Sequence, residues 1–184
     1  GSRLVSLVRL TTESLAGIPS IVYGLFGFLL FVVACGMGFS ILGGALTLAV
    51  MVLPLIMRTT EEALKSVPDS WREGSFALGA GRLRTIFRVV LPAAVPGILS
   101  GVILSIGRIV GESAALLYTA GTVAAMPESL LSSGRTLSVH MYALLSEGLY
   151  VNEAHATALV LLIVVLLINF ASSAVAALLV RERS

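Results

Sequence analysis

The chain has 184 residues, of which 57% are hydrophobic and only 12% are charged, and its mean hydropathy is +1.02. This composition excludes an ordinary soluble globular domain and predicts membrane-spanning helices. The formal net charge of +2 is too small to indicate nucleic-acid binding, the single cysteine excludes an internal disulfide, and the two histidines lack the neighbouring ligands of a metal site.

The first predicted elements are a short stub and two membrane spans. Residues 1–13 carry three charges among leucines and valines, which favours an interfacial helix or the remnant of an earlier element. Residues 14–57 then contain no charge, and at 1.5 Å per residue they would form about 66 Å of helix, twice the hydrocarbon thickness of about 30 Å. We therefore predict two spans, at about 17–35 and 40–58, separated by the glycine-containing Cys35–Ser40.

The polar segment Arg58–Pro92 follows, with six of the twelve basic residues and four acidic ones. Each charge at the membrane centre costs about 2.5–3.5 kcal/mol, so this segment must lie in water. The sequence SWRE beginning at Ser70 matches a capping box and predicts a short helix that Gly79 ends. Apolar residues at i, i+3, i+4 and i+7 predict a second helix over 82–91, and Pro92 predicts a bend into the next span.

The third span is predicted at about 93–117. Small residues recur four apart, first at Gly97 and Gly101 and then at Gly107 and Gly111. Such rows let helix backbones touch within lipid, so this span is predicted to be a central helix.

The last part of the chain predicts a polar region and one more span. Residues 119–153 are polar, but leucines and a methionine between 137 and 145 have the spacing of a short amphipathic helix. The final span, about 154–180, is interrupted only by Asn169.

The positions of Lys and Arg predict the orientation of these spans. Six lie between residues 58 and 88, two at each end of the chain and one between 119 and 153. Cytoplasmic loops carry the excess of basic residues, so both ends and the loop 59–92 are predicted to face the cytoplasm and the loop 119–153 the outside. The predicted fold class is an all-α membrane protein with about four transmembrane helices and a cytoplasmic two-helix loop.

Two charged residues inside the third span are the candidate site. Arg108 and Glu112 are four residues apart, which places them on one face of a helix. Charges at this depth mark a substrate route, with Arg108 offering its guanidinium to an anion and Glu112 holding it, or they form a structural ion pair between helices. Both interpretations remain open on this pattern. The neutral donors nearby are Ser105, Ser113, Tyr118 and Thr119.

The polar segment resembles the "EAA loop" of ABC-importer permeases. Glu73-Gly74-Ser75, Gly79 and the run VVLP ending at Pro92 occupy the positions of that motif at its spacing, with two small residues in place of the alanines. In that family the loop docks into a groove of the cytoplasmic ATP-binding subunit. The resemblance therefore implies that the ATPase-docking residues are Glu73, Gly74, Ser75, Gly79, Arg82, Arg84 and Pro92.

Two further stretches narrow the resemblance. The sequences GIPSIVYG at 17–24 and GRIVGESA at 107–114, together with the EAA-like loop, are similar to PstA-type permeases of ABC phosphate importers. In that family an intramembrane Arg and Glu are implicated in transport, and they match Arg108 and Glu112. The resemblance implies the core of a type I importer permease, from which one N-terminal pair of spans is missing.

The resemblance also implies partners and a location. They are an ATP-binding subunit dimer (PstB-like), a second permease (PstC-like), a phosphate-binding protein (PstS-like) and the lipid of a bacterial or archaeal cytoplasmic membrane. The sequence itself has no G-x-x-x-x-G-K-[ST] motif, so any nucleotide must bind another chain, and no cofactor or enzymatic activity is expected. The alternatives are a permease for sulfate or molybdate, or an intramembrane enzyme that uses Arg108, Glu112 and a histidine.

Overall fold

A computed structural model describes residues 3–181, and every regular element in that range is helical. The α-helices in chain order are α1 (Arg3–Ala16), α2 (Ser20–Gly27), α3 (Ile41–Lys65), α4 (Asp69–Ala77), α5 (Arg82–Thr85), α6 (Leu91–Gly111), α7 (Ala114–Leu117), α8 (Leu137–Glu147) and α9 (Val151–Arg181). Of two π-helical segments, Phe28–Ala34 continues α2 and Ile86–Val90 joins α5 to α6.

Three helices within the described range are long and apolar enough to cross a membrane. They are Ile41–Lys65, the continuous helix Arg82–Gly111 and Val151–Leu178. A fourth candidate is the pair Ser6–Ala16 and Ser20–Ala34, which is bent by 104°. The predicted all-α membrane fold of about four transmembrane helices is confirmed.

The predicted first span, 17–35, is not a continuous helix. Its helical part begins only at Ser20, because Pro19 has an extended backbone and stands at the N-cap of α2. The Tyr23 hydroxyl donates a hydrogen bond to the Leu15 carbonyl at 2.8 Å and so fixes the sharp turn between α1 and α2. The break predicted at Cys35–Ser40 is confirmed, since the π-helical segment ends at Ala34 and α3 begins at Ile41.

The centre of the bundle is the contact between α3 and α6, which glycines make possible. A Cβ atom added at Gly97 would lie 2.7 Å from Ala63 Cβ, and one added at Gly101 would lie 2.7 Å from Thr59 Cβ. Side chains at these two positions would push the helices apart, so the first predicted row of small residues is a helix–helix contact.

The second row of small residues behaves differently. Gly107 faces Asn169 of α9, whose Oδ1 would be 3.2 Å from an added Cβ, whereas Gly111 faces open space within the described chain. Only the first half of the predicted pattern therefore packs against α3.

The short helices α2, α7 and α8 form the main hydrophobic core together with α3. Gly24 lies against the backbone of α7, since an added Cβ would be 2.9 Å from Ala115 Cα. The predicted amphipathic helix is present as α8; Thr136 caps its start and Gly148, with φ of 70°, ends it. The buried core residues are Tyr23, Leu48, Met51, Val52, Leu116, Ala120 and Val139.

The third predicted span, 93–117, differs from the structure at both ends. The helix does not bend at Pro92, because the π-helical turn before it pairs the Leu91 N–H with the Ile86 carbonyl and carries the helix on into α6. At the other end α6 stops at Gly111, and Glu112 is extended (φ −74°, ψ 128°). The Arg82–Gly111 helix has 30 residues, which corresponds to about 45 Å and exceeds the hydrocarbon thickness.

The predicted capping box is wrong, but the short helix that it predicted is present as α4. The N-cap residue of α4 is Pro68, so Ser70 lies inside the first turn and cannot cap it. Gly79, with φ of +79°, follows the end of α4 as predicted. The final helix begins at Val151, three residues before the predicted 154, and residues 182–184 of the tail lie outside the described range.

Candidate functional site

Arg108 lies in the last turn of α6, and its exposed side chain lines a cavity of about 340 Å³. The cavity is formed by α1, α2, α3 and α6. Besides apolar residues, its lining includes Tyr23, Arg58, Thr59 and Glu62. A space of this size holds several water molecules, and its polar lining lets them stay.

A second cavity lies on the α9 side of the same arginine. It has about 680 Å³ and lies between α3, α6 and α9, where Ser100, Asn169 and Ser173 supply polar groups. Arg108 lines both cavities, and each cavity has some polar side chains among apolar ones in its lining. Positions of this kind usually serve a substrate or ion route.

Glu112 does not sit beside Arg108 as predicted. Because α6 ends at Gly111, Glu112 leaves the helix and its carboxylate accepts a hydrogen bond from the Ala115 N–H at 3.1 Å. Its carbonyl accepts a second bond from the Ser138 hydroxyl at 2.6 Å. The ion pairs found within residues 3–181 do not include Arg108, so the predicted Arg108–Glu112 pair is wrong in this conformation.

The predicted neutral donors are also turned away from the cavities. Ser105 is 2% exposed and donates to the Gly101 carbonyl of its own helix at 2.8 Å. Thr119 is fully buried and donates to the Ala115 carbonyl at 2.8 Å. Ser113 stands at the start of α7, and Tyr118 is partly exposed at its end. Around Arg108 these residues build the scaffold instead of the polar lining.

Sequence reasoning missed the polar residues on α3 that share the Arg108 cavity. Arg58 and Glu62, one turn apart, form an ion pair with Nε and Oε1 2.9 Å apart. Arg58 is the first charge after the uncharged run, and that position places it at the end of the predicted span. Its place in the cavity lining depends on how α3 packs against α6, which the sequence does not show.

The α4–α5 hairpin, residues 69–90, presents the other candidate surface. It carries large apolar side chains exposed to solvent, among them Trp71 (55% exposed), Leu78 (89%) and Leu83 (72%). Arg82 and Arg84 flank Leu83 in the sequence and are also exposed. Exposed large apolar side chains together with arginines are typical of a protein-binding site.

The predicted docking residues occupy different parts of this hairpin. Glu73, Gly74 and Gly79 are exposed, and Ser75 is hydrogen-bonded to the buried Thr85 through hydroxyls 2.9 Å apart. Pro92 lies beyond the hairpin, exposed on the first turn of α6.

The histidines do not assemble with Arg108 and Glu112 into a catalytic set. His140 Nδ1 lies 3.0 Å from Arg135 Nη1, at the edge of a separate, largely apolar cavity of about 500 Å³. His155 is exposed on α9. This geometry gives no nucleophile–base pair at Arg108.

The whole chain, residues 1–184, matches the family model described as "Binding-protein-dependent transport system inner membrane component". The chain belongs to this permease family. Among its relatives, the probable ABC transporter permease protein YqgI of Bacillus subtilis is 39% identical over 93% of this chain and 64% of its own length. The phosphate transport system permease protein PstA 1 of Mycobacterium tuberculosis (strain H37Rv) is 45% identical over 65% of this chain and 39% of its own length.

A solved structure supports the fold of this family member. An inward-facing form of the MetNI methionine ABC transporter matches 95% of this chain and 75% of that chain with a TM-score of 0.76, at 23% identity. The chain is thus a permease core with the fold of an ABC importer, and it spans less than two thirds of the length of either relative.

Proposed function

We propose that this chain is the membrane-embedded permease subunit of an ATP-driven importer of inorganic phosphate. The observation that carries the proposal is Arg108, a cation that lines two cavities between the helices. A phosphate dianion in a low-dielectric site needs a fixed positive partner, since an unpaired buried charge costs several kcal/mol. The likeness to a mycobacterial phosphate permease supports phosphate as the anion.

In this proposal the chain forms half of the pathway and catalyses nothing itself. An ATP-binding subunit dimer docks on the α4–α5 hairpin, a second permease supplies the other half, and a phosphate-binding protein delivers the anion. The hairpin and both ends of the chain face the cytoplasm, and the loop 119–153 faces the outside. The exposed apolar and basic surface of the hairpin supports the docking assignment.

Uptake measurements test both the identity of the transported anion and the assignment of the chain to transporters instead of enzymes. The complete complex is expressed in cells that lack their own phosphate uptake, and entry of radiolabelled phosphate is followed with unlabelled sulfate or molybdate in hundredfold excess. We expect ATP-dependent phosphate entry that neither competitor reduces. Transport of sulfate or molybdate instead would reassign the substrate, and chemical turnover by this chain without its ATPase would point to an enzyme.

The docking surface is tested at Gly79. Its φ of +79° is a left-handed conformation that costs a leucine about 1–2 kcal/mol, enough to disorder the turn of the hairpin. Gly79→Leu, and with it Glu73→Ala on the exposed face of α4, should lower the amount of ATPase subunit that co-purifies. Gly81→Ala is the matched control, because Gly81 has φ of −72° and open space around it. Full ATPase binding by both test variants would refute this docking site.

A further inference from the structure

Arg72 belongs to α4, yet its guanidinium bonds to the last turn of α3 and to the linker that follows it. Nη2 donates to the Leu64 carbonyl of α3 at 2.8 Å, and Nη1 donates to the Val67 carbonyl of the linker at 3.2 Å. The Asp69 carboxylate also pairs with Nη1 from within α4. The Arg72 side chain is 30% exposed, so most of it lies against its own chain.

The bond to Leu64 lies in the last turn of α3, where backbone carbonyls lack N–H donors from their own helix. The last four carbonyls of a helix have no partner within it, and the C-terminal end carries a partial negative charge. A guanidinium is planar and presents several N–H donors in a fixed fork, so it can bond two carbonyls at once. Arg72 therefore fastens α4 to the last turn of α3 and to the linker with charge-assisted hydrogen bonds.

The other side of the hairpin is fastened to α6. Ser75 of α4 is hydrogen-bonded to Thr85 of α5, and α5 continues without a break into α6. Val67 and Val90 are buried together with Ala63 and Ala94 where the hairpin meets the two long helices. Besides this apolar cluster and the chain connection at 66–68, the hairpin is attached to α6 by a continuous helix and to α3 by the Arg72 side chain.

We propose that Arg72 is a positioning residue for energy coupling, which transmits displacement of α4 to α3. This inference rests on the proposed function, in which an ATPase moves the hairpin. Because α3 and α6 both line the Arg108 cavity, opening or closing that cavity depends on how far each of the two helices is displaced relative to the other. The continuous helix moves α6 directly, and Arg72 adds a polar link through which displacement of α4 reaches the end of α3.

The experiment compares Arg72→Gln and Arg72→Lys in the complete complex. Three quantities are measured: the amount of ATPase subunit that co-purifies, the rate of ATP hydrolysis, and the phosphate transported per ATP hydrolysed. The control is Lys65→Gln, which removes a charge from the same end of α3 but breaks only an exposed pair with Glu61. Should Arg72→Gln fail to accumulate, Arg72→Lys carries the test.

We expect Arg72→Gln to keep its ATPase subunit and its hydrolysis, while phosphate transported per ATP falls at least tenfold. Arg72→Lys should lie between Arg72→Gln and the wild type, because one ammonium reaches one carbonyl more easily than two. Lys65→Gln should behave as wild type. An unchanged transport ratio in Arg72→Gln would overturn the inference, and loss of the ATPase subunit would make Arg72 a docking contact instead. Failure of the proposed function is distinguishable, since the wild-type complex would then import no phosphate.

Discussion

The two ends of α3 are stabilised in different ways. At the N-terminal end, the Ile41 and Leu42 N–H groups donate to the carbonyls of Ser132 and Leu130, at 3.0 and 2.9 Å. At the C-terminal end, two side chains beyond the helix supply donors: the Arg72 guanidinium bonds the Leu64 carbonyl and the Ser66 hydroxyl bonds the Ala63 carbonyl, each at 2.8 Å. The N-terminal end is therefore held by the main chain of a loop, and the C-terminal end by side chains that include Arg72.

This difference indicates which end can be altered by a point mutation. Main-chain hydrogen bonds persist whatever side chains the loop carries, so the N-terminal end of α3 tolerates single substitutions. At the C-terminal end a single substitution of Arg72 removes two bonds together, one to the Leu64 carbonyl of α3 and one to the Val67 carbonyl of the following linker. We infer that α3 is anchored at its N-terminal end and is adjustable at the end where the proposed ATPase acts.

The largest expected difference between the two ends is their side of the membrane. Single cysteines replace Ser129, in the loop near the N-terminal end, and Ser70, on α4 near the C-terminal end; both positions are exposed. Cys35 is first replaced by serine to remove the native thiol. A membrane-impermeant thiol reagent should label Ser129→Cys in intact cells and Ser70→Cys only after the membrane is opened. Labelling of Ser70→Cys in intact cells would reverse or refute the proposed orientation.

The next largest effect is expected on thermal stability, from a substitution at the contact between α3 and α6. Gly101→Ala places a methyl group against Thr59 and separates α3 from α6, and overpacking of this kind costs about 1–3 kcal/mol. Gly111→Ala is the matched control on the same helix, because nothing lies within 4 Å of an added Cβ there. Thermal unfolding of the purified complex in detergent measures both. Equal melting temperatures for the two variants would mean that the α3–α6 contact does not stabilise the protein.

A smaller effect is expected at the N-cap of α3. The buried Ser40 hydroxyl accepts a hydrogen bond from the Gly43 N–H at 3.1 Å, and loss of such a cap costs about 1 kcal/mol. Ser40→Ala should therefore raise amide exchange at Gly43 about fivefold while Ile41 and Leu42 stay protected by the loop. Ser146→Ala, which removes an exposed hydroxyl from α8, is the control. Faster amide exchange at Ile41 and Leu42 as well would contradict the claim that the loop main chain anchors the N-terminal end of α3.

The sequence predicted the order of the long helices because their signal is strong. Uncharged runs, the glycines between Cys35 and Ser40, and Gly79 mark segments that lipid or backbone geometry constrains directly. The ends of helices inside apolar runs were less accessible. Apolar residues resume at Ala114 after Glu112 and Ser113, so the predicted span was continued to 117 although α6 stops at Gly111.

The candidate site was predicted in part for the same reason. Arg108 stood out because a charge in an apolar span is costly and therefore conspicuous. The pairing with Glu112 assumed an unbroken helix, and the extended backbone at Glu112 removes that assumption. The cavity partners Arg58 and Glu62 depend on how α3 meets α6, a long-range contact that local spacing does not encode.

The central claim, that Arg108 lies on the route of the anion, is tested most directly by uptake of radiolabelled phosphate in Arg108 variants. The complete complex carries Arg108→Gln or Arg108→Lys, and co-purified ATPase subunit is measured in parallel to show that each complex has assembled. We predict that Arg108→Gln abolishes uptake and that Arg108→Lys transports poorly, because lysine keeps the charge but loses the two-pronged geometry. Near-normal uptake by an assembled Arg108→Gln complex would contradict the account.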